Sequence, residues 1–298
     1  MARPIEVIIN SGSGSVLGEE TSISLRARFI AYGIPANIHL ISEGTDMESV
    51  VREAVRDGEV IVAGGGDGTV SAVATEVSRA GKTLGVLPLG TLNNFSKDLG
   101  VPQDLADAVA TIAEGHVRLI DLAEVNGRTF INNSSIGLYP RIVHRREQEQ
   151  RQLGKSKWSA AFSATLQMFR LSPFLKVRIE IDGKSFLRKV PFVFVGNNEY
   201  EMELYNIGRR TSLQDGKLSV YFLHRGGRMG VVLLVLRTIF GALRQWKDFE
   251  EVNTEEITIQ TRKKMMLVAL DGEVVTMQTP LVYKARPGAL KVIVPKSA

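Results

Sequence analysis

Four turns hold the residues whose types and spacing could do chemistry. The first is Gly64-Gly65-Gly66-Asp67-Gly68-Thr69-Val70. Consecutive glycines let the backbone turn tightly and let another atom approach bare N–H groups. The apolar run Val60 to Ala63 ahead of them reads as a buried strand. A polar helix start follows, with Asp67 and Thr69 as capping candidates. A helix N-terminus adds roughly half an elementary positive charge, so the expected guest is a phosphate chain. The alternative for glycines alone is a tight strand-to-helix turn with no ligand. Asp67 favours the ligand, because a carboxylate there repels phosphate unless it handles Mg²⁺ or a bound water.

The second turn, Gly90-Thr91-Leu92-Asn93-Asn94, follows a short strand from Leu84 to Leu87. Alone it is an ordinary turn; two such loops in adjacent βα units can build one site at the carboxyl ends of the strands. The third, Asp215-Gly216-Lys217-Leu218, offers a carboxylate and carbonyls to a hard cation, although most Asp-Gly pairs are merely turns. The fourth, Leu270-Asp271-Gly272-Glu273, reads in isolation as a hairpin tip with exposed acids.

These turns need elements to position them. Ile5 to Ile9 reads as a first buried strand, running into Asn10 and Gly12-x-Gly14-x-x-x-Gly18. With Glu43 after the next strand (Asn37 to Ile41), that loose spacing mimics a dinucleotide fingerprint and makes a Rossmann dehydrogenase a competitor. A helix is expected from Thr45 to about Arg56 and another from Asp104 to Glu114, then a strand from Val117 to Glu124 carrying Asp121. Alternating strands and helices predict a parallel, doubly wound layer.

The rhythm changes near residue 125. Asn126-Gly127 signals a hairpin between Leu119–Val125 and Thr129–Asn132. A long helical stretch from Tyr139 to Leu171, rich in arginine and lysine, reads as a solvated face or as attraction to anionic lipid. Short strands follow: Lys176–Ile181, Phe186–Val195, Lys217–Leu223, Ile257–Thr261, Met266–Leu270, Leu281–Tyr283 and Leu290–Val294. They predict a second, antiparallel β domain. The apolar helix Met229 to Trp246 fits packing on its sheet, with membrane-surface contact as the alternative. The expected division is 1–124 and 125–298, with a return of the extreme C-terminus to the first domain left open.

Composition bounds the rest. The chain has 298 residues, 44% hydrophobic and 23% charged, as in a soluble globular protein. With no cysteine, disulfides, thiolate zinc sites and cysteine nucleophiles are excluded. His39, His116, His144 and His224 are scattered, without metal-pair spacing. A net charge of +5 and a pI near 9.4 favour anionic partners: nucleotide, nucleic acid or acidic membrane. The start lacks a signal-peptide apolar region, and no apolar run approaches the ~20 residues of a membrane span. The expectation is a soluble, cytoplasmic protein, peripheral at the inner membrane face if it acts on lipid.

In order, Asn10-x-x-Gly, Gly65-Gly66-Asp67-Gly68-Thr69, Gly90-Thr91-x-Asn93-x-Phe95, Asp215-Gly216-x-Leu218 and Asp271-Gly272-Glu273 resemble the bacterial diacylglycerol kinase and lipid kinase family. Sphingosine kinases and, more distantly, NAD kinases and phosphofructokinases look related through the Gly-Gly-Asp-Gly core. The resemblance covers essentially the whole chain. It implies an N-terminal open α/β nucleotide-binding domain, a C-terminal antiparallel β-sandwich domain, and an active site in the cleft between. It also implies ATP, Mg²⁺ and phosphorylation of a hydroxyl on diacylglycerol or a similar membrane lipid.

By motif position, Asn10, Thr45, Gly64 to Val70, Gly90, Thr91 and Asn93 would bind ATP. Glu273 would be the catalytic base with Asp271 beside it; Asp67 and Asp121 would lie near the catalytic Mg²⁺. Ser212, Asp215 and Lys217 would hold a structural Mg²⁺. Two departures stand out: Asn94 occupies a place where the family often has Asp, and Asn197 to Leu204 lacks the family's glycines beside the acceptor site. No Gly-x-x-x-x-Gly-Lys-Ser/Thr occurs, which argues against a P-loop kinase. The resemblance predicts transient contact with an anionic membrane, no nucleic acid, and leaves a homodimer open. The alternatives are a kinase of a soluble acceptor such as NAD, and a nucleotide-binding regulator that does not catalyse.

Overall fold

A computed structural model of the chain describes residues 4–10, 19–42, 44–137, 140, 174–200, 210–223 and 249–296. The Gly12/Gly14/Gly18 fingerprint, Glu43, Glu201 to Leu204 and the Met229–Trp246 helix lie outside the described residues, as does the Tyr139–Leu171 stretch except Pro140. The chain forms two compact units, Met1–Leu122 with Arg286–Ala298, and Ala123–Ala285.

The first unit alternates strands and helices: β1 (Ile5–Asn10), α1 (Glu19–Ala31), β2 (Ala36–Ile41), α2 (Met47–Asp57), β3 (Val60–Gly65), α3 (Asp67–Arg79), β4 (Thr83–Pro88), α4 (Asn94–Asp98) and α5 (Leu105–Glu114). Its sheet runs β2-β1-β3-β4, all parallel, and the later residues of β16 (Leu281–Val294) add to β4 through Lys291↔Thr83 and Val292↔Leu84. Val7, Ile8, Ile9, Ile61, Val62 and Ala63 are fully buried, the continuous apolar pattern of strands covered on both faces. Asp46 caps α2 by accepting from Ser49 N at 3.3 Å, and Asp104 caps α5 by accepting from Ala106 N at 2.8 Å. The helix expected from Thr45 therefore begins two residues later, with Thr45 in the preceding turn.

The second unit is antiparallel. β5 (His116–Val125) enters it and turns through Asn126 and Gly127, both at positive φ, into β6 (Arg128–Phe130). One layer contains β9 (Lys184–Val190), β8 (Leu175–Ile181), β13 (Glu256–Thr261) and the first residues of β16. The other runs β12 (Phe249–Thr254), β11 (Leu218–Leu223), β10 (Phe192–Asn197), β7 (Asn133–Gly137), β14 (Met265–Leu270) and β15 (Glu273–Gln278). Residues on β8 alternate, with Val177, Ile179 and Ile181 inward and Lys176, Arg178 and Glu180 outward. The inward set joins Phe130, Val193, Val220, Phe222, Ile257 and Tyr283 in one core. The architecture is thus an N-terminal α/β domain with a parallel sheet and a C-terminal antiparallel β-sandwich.

Candidate active-site residues

In the first unit, the register Gly64↔Leu87 and Gly65↔Pro88 brings both glycine turns to the carboxyl ends of adjacent parallel strands. Asn10, the last residue of β1, reaches the first turn and donates from Nδ2 to Thr69 Oγ1 at 3.1 Å. The glycines answer to different constraints. A Cβ on Gly90 would lie 2.3 Å from Gly66 Cα, and one on Gly65 would lie 2.8 Å from Thr69 Cβ. Packing therefore demands glycine at both. A Cβ on Gly66 would meet nothing nearer than Gly90 Cα at 3.7 Å, and its φ of −79° suits any residue. The fold alone does not require Gly66 to be bare.

Gly66 is also the N-cap of α3, and no side chain caps that helix. The amides of its first turn lack intrahelical acceptors and carry the positive end of the helix dipole. Bare backbone at Gly66 beside uncapped amides fits a phosphate chain.

Asp67 does not cap α3 as expected. Its two carboxylate oxygens accept from Asn94 N at 3.2 Å and Phe95 N at 3.0 Å, tying the start of α4 to the start of α3. Each oxygen keeps a second lone pair for a cation or water. Asn93, left-handed at φ 52°, accepts from Gly90 N at 2.9 Å and donates to Pro88 O at 3.1 Å, which fixes the second turn internally. Thr91 is exposed, and Val70 sits in the core with its N–H donating to Gly66 O. Thr45 Oγ1 accepts from Ser42 N at 3.2 Å. Asp121 is 3% exposed and accepts from Gly288 N at 2.8 Å, anchoring the returning β16.

In the second unit, Asp271 occupies the turn from β14 to β15 at φ 47°, followed by Gly272 at φ 94°. Its carboxylate accepts from Ile131 N (2.8 Å), Asn132 N (2.8 Å) and Asn133 N (3.0 Å). The carbonyls of that loop are held too. Arg210 Nη1 donates to Ile131 O at 2.6 Å, Asn197 Nδ2 donates to the same oxygen at 3.0 Å, and Tyr200 OH donates to Asn132 O at 2.8 Å. Asn197, Asn198, Tyr200 and Arg210 are all buried, so Asn197 and Tyr200 of the Asn197–Leu204 stretch serve this interior network, while Glu199 between them is exposed. Far from a tip of two exposed acids, the turn has Asp271 as its internal anchor and Glu273 as the exposed first residue of β15.

Asp215 and Lys217 line a second-unit hollow of ≈ 260 Å³ together with Glu199 and Asn253. Carboxylates, a carboxamide and a turn carbonyl are the oxygen donors that Mg²⁺ or Ca²⁺ takes. Ser212 Oγ accepts from Gln214 N at 3.1 Å, and Lys217 O accepts from Asn198 N at 2.9 Å. Sequence reasoning gave Glu199 and Asn253 no part here, because nothing in their local pattern ties them to Asp215. Among the described residues, no three acids or histidines cluster as a ready metal site.

Burial pushes the Tyr221 phenol up to about 12, with a contribution from Glu251, whose Oε1 accepts a hydrogen bond from the hydroxyl at 3.2 Å. Tyr283, wholly buried with its OH 3.1 Å from Ser134 Oγ, is raised further by burial. Both phenols stay neutral at physiological pH.

Residues 4–125 match the diacylglycerol kinase catalytic domain, and residues 134–294 match the YegS C-terminal NAD kinase beta sandwich-like domain. The diacylglycerol kinase of Bacillus subtilis (strain 168) is 26% identical over 272 residues, 90% of this chain and 88% of that protein. A Klebsiella pneumoniae (strain 342) protein named “Probable lipid kinase YegS-like” is 36% identical over 158 residues, 52% of each chain. A crystal structure from Bacillus anthracis str. Sterne, of a protein named as a candidate diacylglycerol kinase, aligns with a TM-score of 0.75 at 26% identity, covering 99% of both chains. With both domain types present in order and the whole fold shared, the chain belongs to the bacterial diacylglycerol kinase and lipid kinase family.

Proposed function

We propose that the chain is an ATP- and Mg²⁺-dependent lipid kinase that moves the γ-phosphate of ATP to a lipid hydroxyl, giving a phosphatidic-acid-like product. The observation that carries the reading is Gly66, bare without a packing reason at the uncapped start of α3 and beside the second glycine turn. Asn10, Thr45, Gly64 to Val70, Gly90, Thr91 and Asn93 are assigned to the nucleotide, Thr69 through its backbone and Val70 by holding the first turn of α3 in place. Asp67 holds the two turns together, and with Asp121 it is assigned to the surroundings of the catalytic cation. Bound there, Mg²⁺ supplies charge neutralisation to the phosphates. Ser212, Asp215 and Lys217, with Glu199 added, are assigned to a structural cation.

In transfer, the acceptor oxygen attacks the γ-phosphorus, the bond to the β-phosphate oxygen breaks, and ADP leaves. Glu273 is assigned to accept the hydroxyl proton as that bond forms. Asp271, with its oxygens occupied by three backbone amides, is a positioning residue for the turn that carries Glu273.

The test is incubation of the full chain with γ-labelled ATP, Mg²⁺ and a total lipid extract, followed by identification of the labelled product. Label on a lipid hydroxyl is expected. Label on added NAD instead would establish the soluble-acceptor alternative, and nucleotide binding without any transfer would establish a regulator.

A further inference from the structure

The outward face of one β-sandwich layer is charged unevenly. The β8–β9 register sets Lys176 opposite Lys189, Arg178 opposite Leu187 and Glu180 opposite Ser185, and β13 continues the rows with Gln260 beside Arg178. Arg262, Lys263 and Lys264 follow β13 at the same end, where Thr261 pairs with Val177. All six of these cations are exposed, and none has an ion-pair partner among the described residues. The ion pairs nearby lie elsewhere: Arg188–Glu250 on the inner face of β9, and Lys284–Glu256 at the far end of the layer. In the midst of the cations, Leu187 is 71% exposed, and Met265 beside Lys264 is 52% exposed.

Stability does not explain this arrangement. Like charges directly opposite across two strands repel, so Lys176 and Lys189 weaken the ladder they sit on. Lysines do guard free sheet edges, and β9 ends this layer. That accounts for Lys189 but not for Lys176 and Arg178 on the interior strand, nor for a leucine projecting from the edge. A nucleic acid is the less suitable occupant, because the aromatic ring that meets these cations among the described residues, Phe174, is half-buried with Lys189 Nζ 5.3 Å from its centroid. Cations around a protruding aliphatic side chain fit anionic headgroups over acyl chains.

We propose that this end of the β9-β8-β13 face docks on an anionic membrane surface, with Lys176, Arg178, Lys189 and the Arg262–Lys264 turn at the headgroups and Leu187 inserted among them. The choice of a bilayer rests in part on the lipid-kinase reading, so binding and turnover are measured separately. The experiment is flotation of the full chain, without ATP, on phosphatidylcholine vesicles with and without phosphatidylglycerol.

Binding is expected only to the anionic vesicles, and it fades as salt shortens the Debye length from about 10 Å toward about 3 Å. The Lys176→Ala/Lys189→Ala double variant weakens partition roughly 25-fold, at about fivefold per cation, and Leu187→Ser weakens it about tenfold. Lys284→Ala leaves it unchanged. Should the double variant misfold, Lys189→Glu replaces repulsion by an ion pair with Lys176; it keeps Tm at or above wild type while lowering partition. Equal flotation of these variants and wild type overturns the proposal. So does a wild type that ignores anionic vesicles yet binds DNA through the same residues. Phosphorylation of a detergent-dispersed lipid is expected unchanged in all variants; its absence in wild type with flotation intact removes the kinase reading and leaves the docking face standing.

Discussion

Asp67 and Asp271 each stand beside a glycine in a turn, one in each unit, and the two aspartates do similar work for different ends. Asp67 receives two backbone N–H groups from the start of α4, and Asp271 receives three from the β6–β7 loop and the first residue of β7. Each is a bracket between segments distant in sequence. What each bracket leaves available differs. Around Asp67, the parallel sheet delivers a helix start with uncapped amides and a glycine free of packing contacts, so the functional groups offered are backbone donors. Around Asp271, the antiparallel β14–β15 hairpin pairs its own backbone and presents an exposed side chain, Glu273, next to the anchored turn. An acid conspicuous in a motif can thus owe its place to architecture while the chemistry belongs to whatever it steadies.

The comparison breaks most readily at the second turn. Glu273→Gln is expected to lower turnover by about 10²- to 10⁴-fold, the usual worth of a positioned base, with Tm unchanged. Asp271→Asn points an amide group at donors that need an acceptor, so it should cost about 2–4 kcal/mol of stability and lower Tm along with activity. If thermal melts and initial rates show both variants behaving alike, the division between bracket and reactive group is wrong.

The first turn provides a smaller contrast. Gly90→Ala forces a Cβ against Gly66 and should destabilise the first unit by about 1–3 kcal/mol. Gly66→Ala should stay within about 0.5 kcal/mol of wild type in stability. It should nevertheless raise the KM for ATP at least tenfold, about 1.4 kcal/mol of binding. An unchanged KM would mean that no phosphate lies against Gly66.

The slightest effect concerns the second unit alone. The Tyr221 proton is held more tightly in the folded chain than at the ordinary value of 10. Its contribution is therefore complete below pH 10 and is lost as pH rises toward 12. Denaturant titrations should show a flat stability from pH 7 to about 9 and a decline above 10 that Tyr221→Phe reduces.

Local signals made much of the fold legible. Asn126-Gly127 named its hairpin because only residues tolerating positive φ fit that turn, and continuous apolar runs named the parallel strands. The strand expected over Phe186–Val195 is two strands in different layers, divided at Pro191, which has no N–H to donate to a ladder. Conversely, Leu281–Tyr283 and Leu290–Val294 are one strand, continuous through Pro287 and Gly288 despite their turn-like pairing. The partners of Asp271 lie some 140 residues upstream, and the approach of Glu199 to Asp215 depends on how β10 pairs with β11. Such contacts are set by tertiary packing, which no spacing within a motif encodes.

That long strand has a further consequence for how the chain is made. Leu122 and Arg286 belong to the same unit, and Val292, Ile293 and Val294 are buried in it beside strands from the first hundred residues. During synthesis, the α/β sheet emerges early but lacks its last strand until the whole β-sandwich has been translated. Its exposed β4 edge then waits for a segment that arrives late, the situation in which nascent chains call on chaperones.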